Sequence, residues 1–219
     1  MSGRLFGLVL VCLLLGGCAA AAPTATPAAT VMAAAPTPFP TIMIEVSDIP
    51  VTNAAGEVVS RQPGPLWVLL SGVDEHGLIA EHELILLSEP DTAAVSETTI
   101  HTGAAVGVLE IRQTGPQNLQ RYYRIQALTG EAGWISDYYV RRTGYLFNAK
   151  GTAVPLLDAP GGSEVAEVVN ITPVGILSPL AAWWQVQTQD GNLTGWVEAG
   201  YVKESPEPEF LLNEQHSHP

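Results

Sequence analysis

The sequence predicts an all-β protein of small barrels in tandem, carried on a disordered stalk, and three observations lead there. Between residues 41 and 203 the apolar residues come in short pieces such as TIMIEV, LWVLLS, AVGVLEIR, YYRIQAL and WWQVQT, punctuated by Gly, Pro, Asp and Asn. That is strand spacing without a helical period. Several pieces are rich in Val, Ile and aromatics and alternate with polar residues, as half-buried strands do. Finally, one pattern recurs three times along the chain at about the spacing of a small β domain.

The chain opens with Arg4, an apolar run over residues 5–15, then Gly16 and Gly17 before Cys18. A helix needs roughly 20 apolar residues to span a bilayer, so the run is too short to be a permanent anchor and reads as a signal peptide over residues 1–17. The stretch LLGGC resembles the bacterial lipoprotein processing site. That resemblance implies acylation of the Cys18 thiol, cleavage just before it, and two or three acyl chains. One chain holds weakly, because each buried methylene contributes about 0.8 kcal/mol. Cleavage among the alanines at 19–22 is the plainer alternative. The resemblance implies an extracytoplasmic protein attached to a bacterial membrane through its lipid.

Residues 18–40 are almost wholly Ala, Pro and Thr after the cysteine. Such a composition buries too little apolar surface to offset ordering entropy, so the segment is expected to be a disordered linker. Extended at about 3.1 Å per residue, it reaches up to roughly 70 Å. Residues 204–219, ESPEPEFLLNEQHSHP, read as a flexible tail.

The recurring pattern is sharpest at the C-terminal end, where Trp184 and Val186 precede a turn at Asp190 and Gly191, then Gly195, Trp196, Val197, Tyr201 and Val202. It occurs earlier as Tyr123, Ile125, a turn at Thr129 and Gly130, then Gly133, Trp134, Ile135, Tyr139 and Val140. A worn copy has Trp67, Leu69, a turn near Asp74, Gly77, Leu78, Ile79 and Leu84. Asp-Gly is a strong hairpin signal, and a glycine before each Trp suits a tight approach between strands.

This pattern resembles the closing half of bacterial SH3-like domains. The run from Val154 through Val165 to Val168 resembles their opening half, and residues 105–109 resemble their middle strand. The resemblance covers roughly residues 92–203, and more thinly 42–88, where Leu78 follows Gly77 in place of the Trp and the later Tyr is missing. It implies a degenerate SH3-like unit over 41–90 and SH3-like domains over 91–143 and 144–203. A unit of some 55 residues is marginal alone, so neighbouring units are expected to pack together.

Period-two alternation sorts the faces. Trp184 with Val186, Tyr123 with Ile125, and Trp67 with Leu69 are expected in cores, so Trp183, Tyr122 and Leu66 point the other way. The aromatic excess of the two later units makes Tyr122, Trp134, Trp183 and Trp196 the candidate ligand-binding residues, since Trp and Tyr supply rigid contact area. The competing view is that these rings only fill cores and seams between units.

After Cys18 the chain carries 8 Lys plus Arg against 22 Asp plus Glu, a formal charge of −14. Such a field repels phosphates, so nucleic acid is not an expected partner. Cys12 and Cys18 are the two cysteines, so nothing beyond Cys18 serves a disulfide or a thiol nucleophile. The histidines, His76 with His82, His101, and His216 with His218, are too scattered for a zinc hydrolase; His216 and His218 read as solvated, and His76 and His82 as surface polar positions of the worn copy. There is no GxSxG elbow and no phosphate loop. Neither an enzyme nor a cofactor is expected. Together these readings imply a lipoprotein that binds a cell-envelope peptide, polymer such as peptidoglycan, or cell-surface protein. The alternative is a structural spacer or subunit of a surface complex, and a cell-wall hydrolase ranks below both.

Overall fold

The computed structural model describes residues 46–73, 80–95 and 98–205. The signal segment, Cys18, the linker, His76, residues 77–79 of the worn copy and residues 206–219 of the tail lie outside the described residues. Within them the chain is built from strands and single 3-10 turns, and contains no α-helix.

The chain begins with a hairpin of β1 (Asp48–Thr52) and β2 (Val58–Pro63). Seven strands follow: β3 (Trp67–Leu70), β4 (Glu83–Leu86), β5 (Thr98–His101), β6 (Ala105–Thr114), β7 (Gln120–Ala127), β8 (Ala132–Ser136) and β9 (Val140–Arg141). Seven more complete the chain: β10 (Gly144–Leu146), β11 (Val154–Leu157), β12 (Glu164–Val168), β13 (Pro173–Leu180), β14 (Trp183–Thr188), β15 (Thr194–Glu198) and β16 (Val202–Lys203).

The two sets of seven repeat one another strand by strand. β3 pairs with β6 and β9, and β10 pairs with β13 and β16. β4 and β5 form an antiparallel hairpin, as do β11 and β12. The ladders β6–β7–β8 and β13–β14–β15 follow. Even the bulges coincide: Leu109 is the residue skipped between Val108 and Glu110, and Leu177 the one between Ile176 and Ser178. A bulge bends and twists its strand, which lets so short a sheet curl toward closure. Each set therefore forms a small barrel-like lobe, lobe 1 over β3–β9 and lobe 2 over β10–β16. The β1–β2 hairpin is added to lobe 1 through a parallel pairing of β1 with β6.

Two glycines show why the closing strands need that residue. A methyl group on Gly133 would lie 2.8 Å from Leu86 Cβ and 3.1 Å from the Leu87 carbonyl oxygen. One on Gly195 would meet Leu156 Cβ and the Leu157 oxygen at those same distances. The sequence pattern Gly-Trp-Val thus marks where one strand crosses close over another.

Residues 41–90 were expected to form a unit of their own, and the strands there are arranged differently. β3 is paired with β6 and β9, and β1 with β6, so the 41–90 strands and the 91–143 strands share one core. The reason lies in β3 itself. Its Trp-x-Leu alternation looks like that of Trp184 and Val186, yet it holds the place of β10, and all four of its residues are buried.

Those four residues divide between two cores. Val68 and Leu70 pack with Ile49, Leu84, Leu86, Val108, Tyr123, Ile125 and Ile135 inside lobe 1. Trp67 and Leu69, with Ala105 from β6, pack with Leu146, Leu156, Val174, Trp184, Val186 and Val197 inside lobe 2. A smaller cluster of Val73, Phe147 and Ile171 adds to the seam. The core positions expected from alternation, Trp67, Leu69, Tyr123, Ile125, Trp184 and Val186, are all buried. The first pair, however, belongs to the neighbouring lobe.

Truncating Leu69 to Ala opens a void in lobe 2 from a strand of lobe 1, and about 2–5 kcal/mol of stability is the expected loss. Ile85→Ala, at a side chain that is 57% exposed, should change stability by under about 0.5 kcal/mol. Urea unfolding of the two variants checks this; equal midpoints would contradict the shared-strand packing.

Candidate functional site

The candidate site is the outer face of lobe 2. Along β14, Trp184, Val186 and Thr188 are buried, so Trp183, Gln185 and Gln187 turn outward. Along β15, Gly195 and Val197 turn inward, leaving Trp196 and Glu198 outside. Register brings these outward residues together. Trp183 lies opposite Glu198 on one side and Leu180 on the other, while Gln185 lies opposite Trp196 and Ser178. Trp196 is also paired with Leu157, and Leu157 with Glu164. Trp183 and Trp196 are thus diagonal neighbours, close enough for long side chains to interact. Both are partly exposed, and Leu180 is 37% exposed beside them.

The loop over residues 158–163 borders this face. The Asp158 side chain accepts from the Ser163 backbone N–H at 2.8 Å, and the Asp158 N–H donates to the Ser163 carbonyl at 3.0 Å. This tight closure places Gly161 so that a methyl group there would stand 4.0 Å from Trp183 Cζ2. The small residues of the loop leave the indole partly exposed.

Lobe 1 carries the same face in a closed form. The strand register matches Tyr122 with Trp183, Arg124 with Gln185, Trp134 with Trp196, Arg112 with Leu180, and Glu110 with Ser178. The Arg112 guanidinium lies over the Trp134 ring, 4.8 Å from its centroid. It is held there by Glu110 Oε1 at 2.7 Å and by Nε donating to Thr52 Oγ1 at 3.2 Å, while Thr52 Oγ1 donates to the same carboxylate at 2.7 Å. Trp134 is 7% exposed and Tyr122 only 3%. Burial raises the Tyr122 pKa, and Asp91 and Asp137 raise it further. Tyr122 and Trp134 were expected to be outward binding residues. Their rings do lie on the outer side of β7 and β8, but they are covered there and offer almost no surface. Trp183 and Trp196 do offer it.

Leu157, Leu180, Gln185 and Glu198 complete the open face and were not singled out from the sequence. The period-two rule applied from Trp183 and Trp196 reaches Gln185 and Glu198, whereas Leu157 and Leu180 depend on the pairing of strands distant in sequence.

Other polar groups are placed apart from this face. Tyr139 donates to Glu81 Oε1 at 3.0 Å and meets Tyr138 edge-to-face at 5.0 Å. His101 Nδ1 is 3.9 Å from Glu83 on an exposed hairpin. Among the described residues no three His, Cys, Asp or Glu side chains are grouped to hold a metal ion. A shallow cleft of about 440 Å³ opens elsewhere on lobe 2, between Val169 and Leu193.

No family model matches the chain, and no curated protein matches it either. Among solved structures it is similar to NlpC2 from Trichomonas vaginalis, with 12% identity over 65% of this chain and 49% of that one, at a TM-score of 0.27. NlpC1 from the same organism gives 14% identity over 65% and 46%, at 0.26. An NlpC/P60 family protein from Bacillus cereus gives 12% over 63% and 55%, at 0.22. The chain spans about half the length of these proteins, and likeness at this level carries no assignment of family or function.

Burial, and next the hydrogen bond to Glu81, push the Tyr139 phenol up to about 12. Below the ordinary tyrosine pKa of about 10 the group is protonated whether the chain is folded or not. As pH rises from about 10 to 12 the unfolded chain gives up the proton first, so the stability this group contributes is lost across that window. Unfolding midpoints measured between pH 9 and 12 should therefore fall less steeply for Tyr139→Phe than for the parent chain.

Proposed function

We propose that the protein is a lipid-anchored extracytoplasmic protein that binds a cell-envelope peptide or polymer, or a surface protein, through the outer face of its second SH3-like lobe. The observation that carries the reading is the contrast between the lobes. One scaffold is built twice, with its outer aromatic pair buried in lobe 1 and partly exposed in lobe 2. Two partly exposed indoles at diagonal positions, flanked by Leu157 and Leu180, form the apolar centre of a small recognition surface. Gln185, Ser178 and Glu198 supply its polar rim. Trp and Tyr at such centres carry a large share of binding energy in protein interfaces.

The anchor supports the same reading. Cys18 follows an apolar run too short to span a bilayer and two glycines, and the Ala/Pro/Thr linker after it is long enough to hold the lobes away from a membrane surface.

Two outcomes test the reading. Full-length protein mixed with isolated bacterial envelope should sediment with it, and Trp183→Ala or Trp196→Ala should weaken retention by about fivefold or more. Tyr138→Ala, removing a 56% exposed ring from lobe 1, should leave retention unchanged. Equal retention of all three variants would remove lobe 2 from the account. Separately, labelled palmitate fed to expressing cells should appear on the protein and disappear in Cys18→Ser; label persisting in that variant would contradict the anchor.

A further inference from the structure

We infer that the open face of lobe 2 takes a peptide bearing a cationic side chain, with its charged head on the Trp196 ring near Glu198 and Glu164. The inference rests on the reading that this face binds a ligand, and it names the chemistry of what is bound.

Lobe 1 supplies the precedent within the same chain. There the ring matching Trp196 is Trp134, and its outer side is occupied by the Arg112 guanidinium 4.8 Å from the ring centroid. The charge is balanced by Glu110, whose carboxylate also receives the Thr52 hydroxyl. Lobe 1 therefore shows what this scaffold places on that aromatic position: a cation, with a carboxylate beside it. Desolvation strengthens such a contact between a cation and an indole face.

Lobe 2 keeps the acceptor half of this arrangement and lacks the cation. Leu180 stands where Arg112 stands, and Ser178 where Glu110 stands. The carboxylates come instead from Glu198, in the position matching Ser136 and directly opposite Trp183, and from Glu164, opposite Leu157 in the row that contains Trp196. Successive residues on one face of a strand are about 7 Å apart, so the Glu198 carboxylate reaches a group seated on Trp196. The surrounding field has the same sign. Between residues 144 and 203 lie Lys150 and Lys203 against Asp158, Glu164, Glu167, Asp190 and Glu198, while the other six cations beyond Cys18 all belong to residues 61–142. Such a field favours approach of cations and opposes anions. An extended peptide fits the site because the two indoles are spaced across strands, so a backbone can lie over Trp183 while one side chain reaches Trp196.

The test uses the full-length protein and acetylated, amidated pentapeptides of alanine with Arg, Lys, citrulline or Glu at the centre, titrated at low ionic strength. The Arg peptide should bind and move the indole N–H resonances of Trp183 and Trp196, with the Lys peptide comparable. Citrulline, which keeps the shape and loses the charge, should bind about three- to tenfold more weakly. The Glu peptide should not bind, and added salt should weaken the Arg peptide. Glu198→Gln should reduce the preference for Arg over citrulline. The double variant Leu180→Arg, Ser178→Glu gives lobe 2 the occupant that lobe 1 already has and should abolish binding, with an unchanged unfolding midpoint showing that it folds.

Equal affinity for the Arg and citrulline peptides, with the same indoles moving, would overturn the cationic preference and leave the binding face standing. If no peptide binds, the inference is wrong, and envelope sedimentation decides the broader reading by itself. If the protein instead dimerises with concentration, and Leu180→Arg prevents it, the face is occupied by a second copy's arginines and the peptide proposal fails.

Discussion

Strand β3 has no face left for solvent, and that constraint organises the structure. Val68 and Leu70 complete the core of lobe 1, while Trp67 and Leu69 reach across to complete the core of lobe 2. A small barrel buries too little apolar surface to be comfortably stable by itself. Sharing a strand answers this, because every residue of β3 contributes burial and two half-sufficient cores become one continuous body. The approach is close: a methyl group on Gly144, at the start of β10, would lie 3.0 Å from Leu69 Cδ1. One side of lobe 2 is thereby committed to lobe 1, and its β14–β15 face remains on the outside.

On that shared frame the two lobes differ in the outward residues around their aromatic pairs. Their hydrogen bonding still matches in detail. The Leu70 N–H donates to Ala104 as that of Leu146 does to Thr172, and the Ser71 N–H donates to Tyr139 as that of Phe147 does to Tyr201. Even a left-handed backbone position is duplicated: Gly103, at φ 80°, donates to the Leu70 carbonyl, and Ile171, at φ 67°, donates to the Leu146 carbonyl. A β-branched residue rarely adopts such an angle. Ile171 also packs against Val73 and Phe147, so the side chain that strains this turn helps to cement the lobes. What differs is chemistry at the rim. Arg112 and Glu110 close the aromatic pair of lobe 1, whereas Leu180 and Ser178 leave that of lobe 2 open.

Much of this was legible in the sequence because alternation and glycine placement are local. The all-β class, the hairpin turns, the Gly-Trp-Val crossings and the inward rings all follow from period-two reading of short segments. Two features did not follow. β3 carries the same aromatic-x-aliphatic signature as β7 and β14, and nothing local shows that it lies between two cores. Likewise the exposure of Trp183 and the burial of Tyr122, equivalent residues on equivalent strands, are decided by what covers them. Arg112, on a different strand, lies directly opposite Tyr122, and no property of Tyr122 itself announces it. Cross-strand partners are properties of the folded chain.

One scaffold presents a covered aromatic face in lobe 1 and a partly exposed one in lobe 2. Oxidative footprinting of the full-length protein reads this directly, tryptophan by tryptophan, with and without isolated bacterial envelope. Oxidation is expected at Trp183 and Trp196 in the free protein, with loss of both on adding envelope and little modification of Trp67, Trp134 and Trp184 in either state. Oxidation of Trp134 to the same extent as Trp196, or protection confined to lobe 1, would contradict it.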